Sequence, residues 1–513
     1  MPGKVTRASF IPSDNESARQ AAGLVHALAA LRTSIVSEAS RDIERWRPHL
    51  KRLGFKPSAL NLAHYLALRK RDLRPFQEAL VPWGLSSLGR SEARVLANLD
   101  AVLVSLAALS GSEPDVPLPP RPAARSFTLG ERLIARNATR LFGPAVDGRQ
   151  THLMVTVPEA AELTPGMVDR LLEGGMSCAR LNCAHGTHAE WLATVIALRA
   201  GEARTGRRCR ILMDLGGPRA RTVSVWSAQD RRVVPGDRIL LRAGAPDPSA
   251  IEHPFQLQCA PVEVFSHLHP GTTLSIDEGR IGARVESSVE AGLVAVVIQA
   301  PPGGVRLKPE KGLNFPGTSL GIPALTDKDR DDLDVVATHA DLVGYSFVQD
   351  PDDISVLWRE LGPRLVRAGR RPPGLILKIE TARAVRAAPE LIVAAAEHLP
   401  VGLMIARGDL AVEVGFQRLA ELQEELLWLA EAAHVPVVWA TQVLDRLVKK
   451  GTPTRAEISD VVLAARAECI MLNKGPFIPE ALAIIDDVCR RMAAHQHKKT
   501  ARLRPLGAWS DHA

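Results

Sequence analysis

An α/β chain built on a closed barrel of eight β/α repeats, with an all-β insert in one loop and an all-helical segment in front, is the fold class that three observations predict. Short apolar runs alternate with amphipathic stretches eight times between about residues 151 and 490, as parallel strands and their covering helices do. One interval instead shows period-two alternation broken by turn dipeptides, the pattern of half-buried strands. The first 110 residues carry helical spacing. Eight such repeats suit a (β/α)8 TIM barrel.

Bulk properties agree. At roughly 150 residues per domain, 513 residues make about three units. With 46% hydrophobic and 24% charged residues the chain is neither disordered nor fibrous. No run of about 18 apolar residues escapes charge or proline, and residues 1–15 lack the apolar core of a signal peptide, so no membrane contact is expected and the cytoplasm is the predicted compartment. Six cysteines without C-x-x-C spacing read as buried free thiols. A net charge of +7 suits a nucleic acid or a cationic pocket for a small phosphorylated or carboxylated ligand equally well, so charge alone does not decide.

In chain order, residues 1–110 form the helical N-terminal domain. Val95, Leu99, Val102, Leu103 and Leu106 share one face of a helix over Ser91–Leu109, with Ser91 as its cap. A second helix spans Ser58–Lys70, and the basic run Arg69, Lys70, Arg71 and Arg74 at its end reads as a solvated face, so no nucleic-acid contact is assigned. Residues 111–126 are proline-rich and form a linker. The barrel comprises 127–215 and 307–496 and opens with a helix over Leu129–Phe142. Its strands are Leu153–Val157, Cys178–Cys183, Cys209–Asp214, Asp341–Phe347, Leu375–Glu380, Gly402–Ala406, Val435–Ala440 and Glu468–Leu472. Thr326 with Asp329 reads as a capping box opening the helix to His339, and Phe416–His434 is a further helix. Residues 216–306 form the β-rich insert, which leaves the third strand's loop at the catalytic face and is placed to act as a lid. Residues 497–513 are a C-terminal tail.

In such barrels reactive side chains gather where strands end. Period two puts Arg180, Asn182 and Ala184 on one face, and Lys378 and Glu380 on another. Asp409, directly after its strand, supplies a second carboxylate. Two carboxylates with an incomplete ligand set suit Mg²⁺ or Mn²⁺, which share their shell with substrate and water. The sum is a metal-assisted site for a phosphate or carboxylate.

Residues 151 to about 490 resemble the pyruvate kinase family. RLNCAHGTH, DLGGPRART, IDEGRI and KGLNFPG are similar to its second-strand, third-strand and lid motifs. LKIETARAV, MIARGDLAVEV and ATQVLDRLVKKGTPTRAEISDV are similar to its lysine, metal and threonine-serine motifs. The resemblance implies transfer of the phosphoryl group of phosphoenolpyruvate to ADP, the last step of glycolysis, by an ATP-forming kinase. It implies Lys378 and Arg180 as catalytic residues, with Thr441 and Ser459 on the route that protonates the enolate. Glu380 and Asp409 are the implied Mg²⁺ ligands, and Ala406, Arg407, Gly408, Asp409 and Thr441 the substrate loop. Arg180, Asn182, His185, Arg221 and Lys311 are implied to meet the nucleotide phosphates and the moving phosphoryl group.

The sequence also departs from the family pattern. Ala184 replaces a serine, and Asp214, Leu215, Gly216, Gly217, Pro218 and Arg219 stand where D-T-K-G-P-E is usual. The first-strand motif is shortened to Thr156, Val157 and Pro158, and Asn473, Lys474, Gly475 and Pro476 replace S-G-E-T. Asn182, Asp214 and the Leu215 carbonyl are then the remnant of a monovalent-cation cage, with Arg219 as a charge substitute, so K⁺ is not expected to be required. The family's C-terminal regulatory domain is expected to be missing. Phosphoenolpyruvate and ADP are the expected partners, alongside a homo-oligomer. Two other readings stand beside this one: a Mg²⁺-enolate aldolase or lyase acting on pyruvate, and an inactive phosphoenolpyruvate-binding regulator.

Overall fold

The computed structural model describes residues 14–501 apart from 86, 111–114, 147, 319 and 499. Contacts divide the chain into one unit of residues 1–135 with 431–434 and a second of 136–430 with 435–513. No helix among the described residues is long and apolar enough to cross a membrane.

The first unit is helical: α1 (Asp14–Trp46), α2 (Lys56–Arg69), α3 (Arg74–Leu80) and α4 (Val95–Leu109). The five residues predicted to share a face of α4 are all buried. The predicted Ser91 cap is not made. A cap must pass straight into helical backbone, whereas a 3-10 turn fills Glu92–Arg94 and Arg94 takes an extended φ of −162°. Ser91 Oγ therefore donates to Leu88 O at 2.9 Å, and Asn61 Oδ1 of α2 accepts the first α4 amide, that of Val95, at 2.9 Å. The basic run at the end of α2 is answered locally: Arg71 pairs with Glu38, and Arg74 with Asp72 at 2.8 Å. The predicted linker is described from residue 115 onward, and the division between units falls beyond it, within α5 (Leu129–Phe142).

The second unit opens with β1 (His152–Thr156), α6 (Pro165–Glu173), β2 (Met176–Asn182), α7 (His188–Thr205) and β3 (Arg210–Asp214). The lid follows as β4 (Arg221–Ser227), β5 (Arg238–Arg242), β6 (Phe255–Ala260), β7 (Thr273–Ile276), β8 (Ile281–Val289), β9 (Gly292–Gln299) and β10 (Leu313–Asn314). The chain then returns as α8 (Asp327–His339), β11 (Leu342–Tyr345), α9 (Pro351–Arg367), β12 (Gly374–Ile379), α10 (Ala382–Ala396), β13 (Val401–Ala406), α11 (Arg407–Val414) and α12 (Phe416–Ala432). It closes with β14 (Val437–Ala440), α13 (Asp445–Lys450), α14 (Arg455–Ala464), β15 (Cys469–Leu472) and α15 (Ile478–Ala493). A short ribbon of Gln496–His497 with Thr500–Ala501 follows, and residues 502–513 of the predicted tail lie outside the described residues.

Strands β1, β2, β3, β11, β12, β13, β14 and β15 close the barrel, each parallel to its neighbours. Threonine and aspartate caps start most of the covering helices. Thr187, Thr326, Asp350 and Thr454 form complete capping boxes, and Thr381 accepts from Ala384 N. Such caps satisfy first-turn amides and fix where each strand-end loop stops. Met154, Cys178, Leu212, Ile376, Val438 and Cys469 fill the barrel together with Ala138, Leu141 and Phe142 of α5. Leu141 is only 1% exposed and lies so close to Gly374 that a β-carbon there would meet its Cδ2 at 2.4 Å, so the absence of a side chain at 374 makes room for the helix to plug that end.

Lid strands order as β10-β7-β8-β9-β5-β6-β4 around a core that includes Ile239, Phe255, Leu257, Cys259, Leu274 and Ala295. The sheet runs past residue 306, where the insert was expected to end, because β10 completes it against β7. Leu313 N donates to Ala220 O at 2.8 Å, so the outgoing and returning strands pair as a two-stranded hinge between barrel and lid. All six cysteines are buried free thiols.

Candidate active site

The strand ends converge on a cleft of about 390 Å³ between barrel and lid. At its floor the β3 carboxylate Asp214, fully buried, receives two cations. Arg180 at the end of β2 reaches Asp214 Oδ2 at 2.6 Å through Nη2 and holds Thr156 Oγ1 at 3.1 Å. Lys378 on β12 lies 3.4 Å from the same Oδ2, 3.2 Å from Glu380 Oε1, and donates to Ser346 Oγ at 2.6 Å. Ser346 passes its own hydrogen to Leu215 O at 2.7 Å. Glu380 Oε2 accepts from Phe347 N at 2.6 Å, which the positive φ of Phe347 (54°) turns inward.

Burial and charge compete at every member of this cluster. Burial works against the charged lysine, but Asp214 and Glu380 outweigh it and hold the Lys378 pKa above its ordinary value. Burial likewise pushes Asp214 up, yet Lys378 and Arg180 prevail and its pKa is lowered. At Glu380 burial prevails: helped by the neighbouring charge of Asp409, it raises the carboxyl despite Lys378. Glu380 and Asp409 are thus two carboxylates of one wall, near enough for the charge of Asp409 to act on Glu380. Both are hard oxygen donors lining the cleft, and among the described residues no group of three or more His, Cys, Asp or Glu forms a complete cage. A half set of this kind fits Mg²⁺ or Mn²⁺, which take their remaining ligands from substrate and water.

The other expected residues divide. Asn182, Ala184, His185, Leu215, Arg219, Arg221, Lys311, Ala406, Gly408 and Thr441 all line the cleft. On the lid side Lys311 pairs with Asp277 at 2.9 Å and Arg221 with Glu310 at 3.4 Å. Thr441, at φ 64°, accepts from Gly408 N at 2.9 Å, so that amide is already satisfied within the chain. Two expected residues point elsewhere. Arg407 stacks over Trp439 at 4.7 Å and binds Asp460 at 2.5 and 2.8 Å, because its side chain leaves the first turn of α11 away from the cleft. Ser459 is exposed on α14, bonded to Arg455 O at 3.2 Å: the Thr454–Glu457 capping box starts that helix and turns position 459 outward.

Arg219 also departs from expectation. It was placed beside the Asp214 cage, but its Nη2 lies 2.9 Å from Asp409 Oδ1, because the hinge strand carries it across the cleft mouth. Of the cage atoms, Leu215 O is taken by Ser346 and Asn182 Oδ1 by the Ala184 amide at 3.3 Å, whereas the buried Asp214 Oδ1 has no hydrogen-bond partner. Sequence reasoning missed Ser346, Asn314 and Asp460. The period-two rule applied to Asp341–Phe347 offers Ser346 as a strand-end polar residue, but only the fold brings it under Lys378.

Comparison with known proteins follows the same line. Residues 148–476 match the family model described as pyruvate kinase, barrel domain. The chain is 30% identical over 396 residues to the pyruvate kinase of Methylorubrum extorquens, covering 71% of this chain and 78% of that protein. It is 32% identical over 361 residues to one from Agrobacterium vitis, covering 68% and 70%. To the Bacillus licheniformis pyruvate kinase it is 30% identical over 370 residues, covering 69% and 59%.

Proposed function

The chain belongs to the pyruvate kinase family and is a phosphotransferase of that type, and on that premise we propose that it converts phosphoenolpyruvate and ADP to pyruvate and ATP, the last step of glycolysis, in the cytoplasm and as a homo-oligomer. The observation that carries this reading is Lys378: an ammonium 9% exposed, held between Asp214 and Glu380 on the wall of a cleft that also offers Arg180, Arg221 and Lys311.

Phosphoryl transfer asks a protein mainly to position groups and neutralise charge. The P–O bond to the enol oxygen breaks as a bond forms to a terminal phosphate oxygen of ADP. The enolate left behind takes a proton on its methylene carbon to become pyruvate. Lys378 and Arg180 are already fixed by Asp214, so their positive charge meets the moving phosphoryl without reorganisation. His185 with Arg221 and Lys311 on the lid side would hold the nucleotide phosphates. Thr441, fixed by its bond to Gly408 N, is the hydroxyl of the proposed proton route that borders the cleft. Ser459, bonded elsewhere, would act only through that route's outer end. Glu380 and Asp409 would hold Mg²⁺ or Mn²⁺, which when bound supplies Lewis-acid stabilisation of the enolate and phosphate oxygens.

We also propose that K⁺ is dispensable. What supports this is the double cation on Asp214 and the internal partners of Leu215 O and Asn182 Oδ1, rather than a direct contact from Arg219. The reaction is tested by following pyruvate formation from phosphoenolpyruvate with Mg²⁺, with and without ADP. ADP-dependent pyruvate is expected. Pyruvate formed without ADP would mean transfer of the phosphoryl group to water instead; inert phosphoenolpyruvate with proton exchange at the methyl carbon of added pyruvate would favour an aldolase- or lyase-type enolate enzyme, and phosphoenolpyruvate binding without turnover a regulator.

A further inference from the structure

We propose that Arg219 is an internal competitor for the divalent cation at Asp409, through which the lid hinge and metal occupancy are coupled. Asp409 Oδ1 is held by both strands of the hinge: Arg219 Nη2 from the outgoing strand at 2.9 Å and Asn314 Nδ2 from the returning strand at 3.4 Å. The guanidinium lies against the hinge at Gly312, since a β-carbon there would sit 2.8 Å from Nη2 and 3.0 Å from Nε. A cation on this carboxylate oxygen and the guanidinium make rival claims to the same charge.

The grip is built to be released. Arg219 is about a third exposed, at 36%, and its buried Nε has no hydrogen-bond partner, so only one edge of the fork is engaged. A bidentate pair would hold far more firmly. Metal arriving at Asp409 displaces the guanidinium and frees the outgoing hinge strand from α11. Conversely, an empty site keeps both hinge strands drawn to α11. Arg219 acts through Asp409 and is therefore a positioning residue.

The inference rests on the assignment of Glu380 and Asp409 as metal ligands. Its test is Mn²⁺ binding to the substrate-free full-length chain, read from the electron paramagnetic resonance signal of free Mn²⁺. Arg219→Gln is expected to bind Mn²⁺ about fivefold more tightly than wild type, the upper scale of one partly exposed ion pair removed. Arg219→Lys should return the affinity toward wild type. Gly312→Ala, which leaves Arg219 in the sequence but pushes its guanidinium aside, should shift affinity in the same direction as Arg219→Gln and carries the test if that variant folds poorly. If Asp409→Asn weakens Mn²⁺ binding while Arg219→Gln and Gly312→Ala leave it unchanged, the competition is refuted and the metal site stands. If Asp409→Asn itself leaves the affinity unchanged, the metal assignment fails and the inference falls with it.

Discussion

Replacing Lys378 by methionine removes the ammonium but keeps most of the side-chain volume. Its two carboxylate neighbours lie 3.2 and 3.4 Å away, and each attraction is worth roughly 5 kcal/mol at an effective dielectric of about 20. Desolvating the ammonium cancels several kcal/mol of that, and breaking a buried pair from one side leaves a net loss of about 3–5 kcal/mol. Arg180 still holds Asp214, so the uncompensated charge falls mainly on Glu380, 3% exposed. Turnover should suffer more, because the lysine acts on charge that develops during transfer: a loss of about a thousandfold or more is expected, with substrate binding changed little. Pyruvate formation coupled to lactate dehydrogenase, run beside thermal melts, reads both effects. Turnover within tenfold of wild type together with an unshifted melt would refute the reasoning. Lys378→Arg should restore charge but not turnover, since a planar fork does not fit between Asp214, Glu380 and Ser346.

Four further outcomes are expected. Glu380→Gln and Asp409→Asn should each raise the Mg²⁺ concentration needed for half-maximal rate, and unchanged calorimetric affinity in both would place the metal elsewhere. Initial rates in buffer with a bulky organic cation should rise little when K⁺ is added; a large stimulation would mean the cage still works. Burial, with help from Asp409, pushes the Glu413 carboxyl from 4.5 to about 7 against the amides of Ala382 and Gly317. The folded chain thus binds this proton more tightly than the unfolded chain, so stability falls as pH rises from about 4.5 to 7, by at most ~3.5 kcal/mol. Glu413→Gln should therefore melt higher than wild type at pH 8 but not at pH 4, and parallel curves would contradict this. Leu141→Ala, which unplugs the barrel, should cost about 3–5 kcal/mol in denaturant unfolding, and a cost under about 1 kcal/mol would show that the plug is not packed as described.

The eight strands were legible because each is a short apolar run with a polar residue at its end, and that rule alone pointed to Arg180, Lys378 and Glu380. Thr326 and Asp329 were legible for the same local reason: a capping box lies within four residues. What stayed hidden depends on distance along the chain. Asn61 capping α4, Ser346 bridging Lys378 to Leu215, and Arg219 reaching Asp409 are each contacts between segments that no periodicity relates. Arg219 was recognised as unusual by its charge, but its partner was misplaced, because the path of a hinge strand is set by pairing with 312–314. The exposure of Ser459 was hidden for a different reason: its motif was matched, while the side of α14 it occupies depends on where Thr454 starts the helix.

The buried cysteines turn the molecule into its own reporter of local opening. Burial pushes Cys259 to about 12 and Cys489 to about 11, so neither carries appreciable thiolate in the closed fold and alkylation must await exposure. Cys259 is the lid's sole cysteine, in β6, while Cys178, Cys183, Cys209, Cys469 and Cys489 belong to the barrel and its helices. The order in which a maleimide reaches them therefore separates breathing of the lid from breathing of the barrel without any engineered probe, and a lid that loosens first would be labelled at one site long before the other five.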